Sequence, residues 1–405
     1  MKIIVGHNTG LIRVIQIPKS KLVAEKYLVK KQMFQHKQTN VTMSTKGKVE
    51  KTKEVQILEE NIIDETDNEM IWIARKDLTI ELTDNEEFEP KYVFNSIEFD
   101  KEDSKNDEKT KWIGMVCFKK FLLACKSNGT LYQIKLNKDL EAEIKSYQLF
   151  KTDIKDRLKV FRGHADKEKV AFATGGDEIE LQVWEHKPEG PNQIFIAKNV
   201  PHDKLDLRVK VCINDLRFYK DTEQGYKVAI VTHYGQLREY HIKKKRRPVY
   251  DFQISEGPCQ KVFLNEDENG YFVSTNTGNV KVINASGRQI ASYGGFSATV
   301  AQLSCQNNII FSLTIDRNLY LHHAKDHTVI QKIYIKQTAS CFLVKEEEAD
   351  TIESENEDDK LWNQLEENKK KKIKIEEEEI KLEEEEAKLE EKEAKISNGS
   401  KLRNH

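Results

Sequence analysis

No stretch of this chain approaches the roughly 18 uninterrupted apolar residues that a membrane-spanning helix needs, so no membrane contact is expected. The opening apolar run, Lys2-Ile-Ile-Val5, is too short for a secretory signal. There are 6 Cys, at positions 117, 125, 212, 259, 305 and 341, and no two form Cys-x-x-Cys. That spacing argues against a zinc site and against a secreted disulfide scaffold; reduced core thiols are the expectation. Catalytic signatures are missing as well. There is no Gly-x-Ser-x-Gly, no Gly-rich phosphate loop before a helix, and no paired-carboxylate motif above the general Glu excess. His322, His323 and His327 cluster locally, but adjacent strand residues face opposite ways, so His322 and His323 cannot easily share a metal. No enzyme activity, cofactor, metal or small-molecule substrate is expected.

Charge is what the chain has in excess. Charged residues make up 33 % of 405, and the formal net charge of -2 averages two unlike regions. Residues 346–405 carry 12 basic and 22 acidic side chains, whereas residues 1–345 carry 54 and 46, a net of +8. A basic body suggests an anionic partner.

Residues 1–345 show short apolar runs broken by polar turns, with almost no helical periodicity. Leu11–Ile17, Ile71–Ala74, Phe121–Ala124, Val170–Ala173, Val228–Val231 and Ile309–Phe311 have strand length and strand composition. With 18 Gly and 7 Pro, such an all-β body suits a sandwich, a barrel or a propeller. A repeat decides. A tight turn followed by an alternating strand recurs at Asn8-Thr-Gly10, Arg75-Lys-Asp77, Ser127-Asn-Gly129, Gly176-Asp177, His233-Tyr-Gly235, Asn276-Thr-Gly278 and Asp316-Arg317. Polar insertions, mainly 35–56 and 100–111, stretch some intervals. The first unit has no room for an innermost strand, and Ser340–Val344 is left over at the end, so it is expected to complete the first unit. The reading is an all-β, seven-bladed WD-type β-propeller over 1–345, followed by a charged tail over 346–405, part disordered and part helical.

In the tail, apolar residues fall at 373, 380, 387 and 394 and at 375, 382, 389 and 396. These two stripes lie about 200° apart on a helix, which does not make a coiled-coil seam. Acid-first pairs such as Glu377/Lys381 support a solvated helix over 373–396 acting as a spacer.

Three body segments invite a functional reading. Gly163-His164 with Trp184-Glu185 resembles a WD signature, but Gly163-His164 lies close before Val170 and is read as a turn. Lys243, Lys244, Lys245, Arg246 and Arg247 form a basic run after a blade strand; phosphate contact, a solvated turn and a nuclear-import signal all suit it. The third is Ala197-Lys-Asn-Val-Pro-His-Asp-Lys-Leu-Asp-Leu-Arg-Val209 leading into Ile213–Phe218, a long inter-blade connection. Within it Asp206 is either a docking residue or a loop-fixing acceptor of backbone N–H groups. Arg208 is either a docking residue or the partner of Asp206.

That connection closely resembles the one in the nucleolar WD-repeat factors of large ribosomal subunit assembly. Asn8–Gly10, Gly175–Glu178 with Trp184, Gln236–Tyr240, Arg246–Val249, Asn276–Gly278, Asp316-Arg317 and the tail pair Leu361-Trp362 follow in the same order. The resemblance covers roughly 1–20 and 165–367; residues 21–164 match only in blade pattern. It implies a non-catalytic scaffold in the nucleolus and nucleus. Its partners would be other assembly factors of large-subunit (60S) precursors, pre-rRNA within the particle, and an AAA-type ATPase remodeller. The tail departs from the family's basic ending. The competing reading is a general WD-type adaptor, such as a substrate receptor or chromatin-binding module. Asp206, Arg208 and Lys243 to Arg247 are the expected partner- and RNA-binding residues.

Overall fold

The computed structural model describes residues 1–17, 42–46, 54–61, 70–84, 86, 88–99, 109–118, 121–137, 141–152, 154–165, 170–221, 225–265 and 270–345. The propeller unit runs Met1–Glu346. The tail, with the helix expected over 373–396, and most of the insertion at 35–56 and 100–111 lie outside the described residues.

The described strands form seven four-stranded antiparallel sheets arranged as blades. From the inner to the outer strand, blade 1 is Ala339–Lys345, Lys2–His7, Ile12–Gln16 and Thr42–Lys46. Blade 2 is Val55–Asn61, Met70–Arg75, Thr79–Asp84 and Pro90–Asn95. Blade 3 is Trp112–Phe118, Phe121–Lys126, Thr130–Leu136 and Ala142–Gln148, and blade 4 is Leu158–Ala165, Val170–Gly176, Ile179–Lys187 and Gly190–Ile196. Blade 5 is Ile213–Asp221, Gly225–Thr232, Gln236–His241 and Tyr250–Gln253. Blade 6 is Cys259–Asn265, Gly270–Thr275, Val280–Ile283 and Gln289–Tyr293, and blade 7 is Val300–Gln306, Ile309–Thr314, Asn318–His323 and Val329–Tyr334. The leftover strand does close the ring: Ala339–Lys345 pairs antiparallel with Lys2–His7, as the sequence suggests. Inner strands contact their neighbours in unbroken succession, so the sheets close on themselves around a channel and leave no open end.

Blade packing explains why the second strands are continuous apolar runs rather than alternating ones. Each blade face is covered by the next blade, so side chains pointing either way are buried. Ile3 and Val5 point to blade 7, while Ile4 points to blade 2. Seven apolar clusters fill the seven blade interfaces. Thiols take part as small apolar groups: all six cysteines are free, five of them are buried, and burial pushes Cys259 up to about 11 and Cys341 up to about 12.

The repeating turn also has a physical basis. The turn between second and third strands holds a residue of positive φ in every blade: Gly10, Gly129, Gly235 and Gly278 in four, but Leu78, Glu178 and Arg317 in the others. Glycine adopts this conformation freely and an L side chain at a cost of order 1 kcal/mol, so the non-glycine turns need a compensating reason.

Gly163-His164 is a correction to the sequence reading. Both residues lie inside the inner strand of blade 4, not in a turn. Gly163 opposes Phe172, which opposes Trp184, so these share one face; His164 points the other way. Trp184 donates Nε1–H to Thr174 Oγ1 at 3.4 Å and stacks on Phe172, whereas His164 stacks on Phe218 of the next blade. The Trp–Thr half of a WD network is present, and the alternation of the strand keeps His164 out of it.

Candidate docking surface

The connection from blade 4 to blade 5 leaves the outer strand at Ile196 and is pinned at its base by blade 5. Asn199 donates its amide to the carbonyl of Val209 at 2.6 Å, which closes the base of the loop. Its Oδ1 accepts from the Val200 N–H and from Arg238 Nη1, at 2.8 and 3.4 Å. Arg238 is 0 % exposed and also pairs with Asp251 at 3.1 Å. Burial pushes the nearby Glu180 carboxyl up, while Arg238 and Arg208 pull it down less strongly.

The tip is ordered by Asp203, not by Asp206. The Asp203 carboxylate accepts the N–H groups of Leu205 and Leu207 at 2.8 and 2.9 Å. Asp206 sits at positive φ with its carboxylate in solvent, paired to His202 Nδ1 at 2.9 Å. The loop-fixing role considered for Asp206 therefore belongs to its neighbour three residues earlier. Arg208 does not pair with Asp206 either. Its guanidinium meets Glu178 at 2.9 Å, and Glu178 also accepts the Val211 N–H at 3.3 Å. Glu178 is the non-glycine residue in the blade 4 turn, and tying down the loop is the compensation for its backbone conformation.

The basic run occupies the loop between the third and fourth strands of blade 5. Lys243, Lys244, Lys245, Arg246 and Arg247 are all exposed, and Pro248 is buried beneath them. The two segments singled out from sequence meet directly. Arg246 Nε donates to the carbonyl of Ile196 at 2.8 Å, and the Lys198 N–H donates back to the carbonyl of Arg246 at 2.8 Å. Arg246 is thus a structural strut as well as a surface cation. The side chains of Lys244, Lys245 and Arg247 are exposed and have no hydrogen-bond or ion-pair partner among the described residues.

The sequence reading missed two residues of this surface. Leu205 is 78 % exposed and Leu207 59 %, on either side of Asp206. Their alternation with polar residues reads as a strand edge from sequence. In the structure no sheet takes them up, and an ordered loop presents both to solvent. The result is a short exposed apolar tip on the connection whose base the basic loop braces. Among the described residues no group of three metal-ligating side chains gathers here or elsewhere. His322 is buried under Tyr293, Phe296 and Tyr320, and His323 lies on the opposite face of its strand.

The fold defines a seven-bladed WD-type β-propeller whose 197–212 connection is braced by a basic loop of the next blade. No protein-family model matches the chain. Over 339 residues it is 24 % identical to ribosome biogenesis protein NSA1 of Yarrowia lipolytica, spanning 74 % of this chain and 81 % of that one. Over 219 residues it is 32 % identical to WD repeat-containing protein 74 of Bos taurus, spanning 50 % of this chain and 56 % of the bovine protein. The chain is a homologue of these WD-repeat proteins, in agreement with the resemblance carried by its motifs. In three dimensions it is similar to Sqt1 of Saccharomyces cerevisiae, with a TM-score of 0.59 over 87 % of both chains at 10 % identity, a likeness of fold alone.

Proposed function

We propose that this chain is a non-catalytic assembly factor of ribosome biogenesis that docks on large-subunit precursors in the nucleolus. The observation that carries the proposal is the junction of the 197–212 connection with the Lys243–Arg247 loop. The segment that carries the exposed Leu205 and Leu207 is tied through Arg246 to the loop that carries Lys244, Lys245 and Arg247, which supports reading the two as one surface. The name of the Yarrowia lipolytica relative supports a role in ribosome biogenesis. The net charge of +8 on residues 1–345 suits a particle rich in RNA, since cations that displace counterions from phosphates gain affinity that falls steeply with salt. On this reading the leucine tip contacts a neighbouring assembly factor, the cations contact pre-rRNA, and an AAA-type ATPase removes the factor once its stage is over.

The test uses Lys244→Glu, Lys245→Glu and Arg247→Glu together in the full chain. None of these side chains holds the loop, so unfolding free energy should stay within about 0.5 kcal/mol per site. Co-sedimentation with large-subunit precursors should drop, and what remains should depend less on salt. Association at the wild-type level with wild-type salt sensitivity would remove this surface from the docking interface.

A further inference from the structure

The outer strand of blade 5 carries an exposed aromatic pair next to the basic loop. Tyr250 is 44 % exposed and opens the strand Tyr250–Gln253, three residues after Arg247. Its ring stacks on that of Phe252, with ring centres 5.6 Å apart and planes 12° from parallel. The two residues are i and i+2 on a strand, so they share a face, and that face is turned toward blade 6.

Phe252 is half-buried and held by the next blade. Gly287 lies in the turn between the third and fourth strands of blade 6, at a φ of 79°, and a Cβ there would collide with the Phe252 ring. Glycine both adopts this φ and lets the backbone close onto the ring. The turn itself is fixed, because Asn284 Oδ1 accepts the N–H groups of Ser286 and Arg288 at 3.1 and 2.9 Å. An aromatic face held in this way costs little ordering entropy when a ligand stacks on it.

Cations flank the pair on both blades. The loops from third to fourth strand of blades 5 and 6 lie on the same rim, since the strands of both blades follow the same order. The first loop carries Lys243 to Arg247. The second carries Arg288, which is exposed and whose guanidinium has no hydrogen-bond or ion-pair partner among the described residues. Arg288 directly follows the glycine that touches Phe252. Arg247 is three residues from Tyr250, a distance the chain spans in at most about 11 Å. Two nearby acids are engaged elsewhere. Glu239, across the strand pair from Tyr250, is buried between His241 and Tyr271, and Asp251 accepts from Arg238 at 3.1 Å.

We propose that Tyr250, braced by Phe252, is a stacking platform for one unpaired base of a single-stranded RNA whose phosphates lie on Arg247 and Arg288. An aromatic face accepts any base, and cations on either side follow the backbone. A duplex keeps its bases stacked inside and offers the ring no base face. The proposal rests on the reading of the Lys243–Arg247 loop as an RNA contact, and adds what the surface selects there.

The test measures affinity of the full chain for a short oligouridine, for an abasic strand of the same length and for a duplex of the same length, at constant salt. Wild type should prefer the oligouridine to the abasic strand by about tenfold, the worth of one base on an aromatic ring. Tyr250→Ala should bring oligouridine down to the abasic affinity and leave the abasic strand and the duplex unchanged. Tyr250→Phe keeps the ring and should bind as wild type does. Arg288→Gln should weaken oligouridine and abasic strand alike. Equal wild-type affinity for oligouridine and abasic strand overturns the proposal, as does wild-type oligouridine affinity in Tyr250→Ala. Loss of precursor association in Tyr250→Ala with oligouridine affinity kept assigns the ring to a protein partner and also overturns it. The docking reading fails separately. If the Lys244, Lys245 and Arg247 reversals leave precursor association unchanged while Tyr250→Ala still weakens oligouridine binding, the platform stands as an RNA site outside the precursor interface.

Discussion

Gln302 brackets the backbone of Phe342: its side-chain oxygen accepts the Phe342 N–H at 2.7 Å and its amide donates to the Phe342 carbonyl at 3.0 Å. Gln302 belongs to blade 7 and Phe342 to the closing strand of blade 1, so this pair is the seam of the ring. Asp215 makes the same reach to Val262 between blades 5 and 6. Both positions follow an inner-strand bulge, which recurs at the same place in blades 2 to 7. The inner edge of each sheet has no further strand to pair with, and side chains aimed from these bulges satisfy part of it.

Closure of the ring should therefore be measurable. Removing everything from Ala339 onward takes away the inner strand of blade 1 and the buried Phe342, whose burial alone is worth about 1.5–3 kcal/mol. Truncation after Asp350 spares that strand and should leave the melting temperature near that of the full chain. Gln302→Ala should cost roughly 1–3 kcal/mol because it orphans backbone groups at the seam. Equal melting temperatures for the two truncations would rule out the closing role.

Asp203 and Asp206 look interchangeable in sequence but should behave differently. Asp203→Ala removes the acceptor for two N–H groups and should loosen the tip, raising limited proteolysis near Leu205 and weakening precursor association. Asp206→Ala removes only an exposed contact to His202 and should change cleavage little. Identical cleavage of the two variants would contradict the assignment.

Stability should fall as the medium turns mildly acidic. Burial lowers both His7 and His322 to about 4, from an ordinary value of 6.5, and both rings are 0 % exposed. The unfolded chain then binds protons that the folded chain refuses, so stability is full above about pH 6.5 and is lost as pH drops toward 4. Each ring should contribute a loss of about 2 kcal/mol between pH 7 and 5. His322 has no partner on Nδ1 and is surrounded by aromatic rings, so His322→Phe should flatten the pH dependence in urea titrations. An unchanged slope would show that His322 does not carry it.

Blade number, the second-strand runs, the turn positions and the closing strand were all legible in the sequence. Each is a local pattern: an apolar run of strand length, a turn rich in Gly, Asn or Asp, a strand left over. Local pattern also marked the two candidate segments, 197–209 as a long inter-blade connection and 243–247 as a basic run, and the family resemblance singled out the first. It did not assign roles inside them. Whether Asp203 or Asp206 would take the N–H groups of Leu205 and Leu207 depended on the exact path of the loop. Glu178, 30 residues away in sequence, became the partner of Arg208 because blade 4 brings its turn under the connection. His164 was misread because its strand is followed by so short a gap before Val170, and only the sheet register shows which face it takes. The setting of Tyr250 and Phe252 was invisible for a stronger reason. Gly287 and Arg288 come from another blade, and no spacing along the chain marks them; only the packing of blade 6 on blade 5 brings them to the aromatic pair.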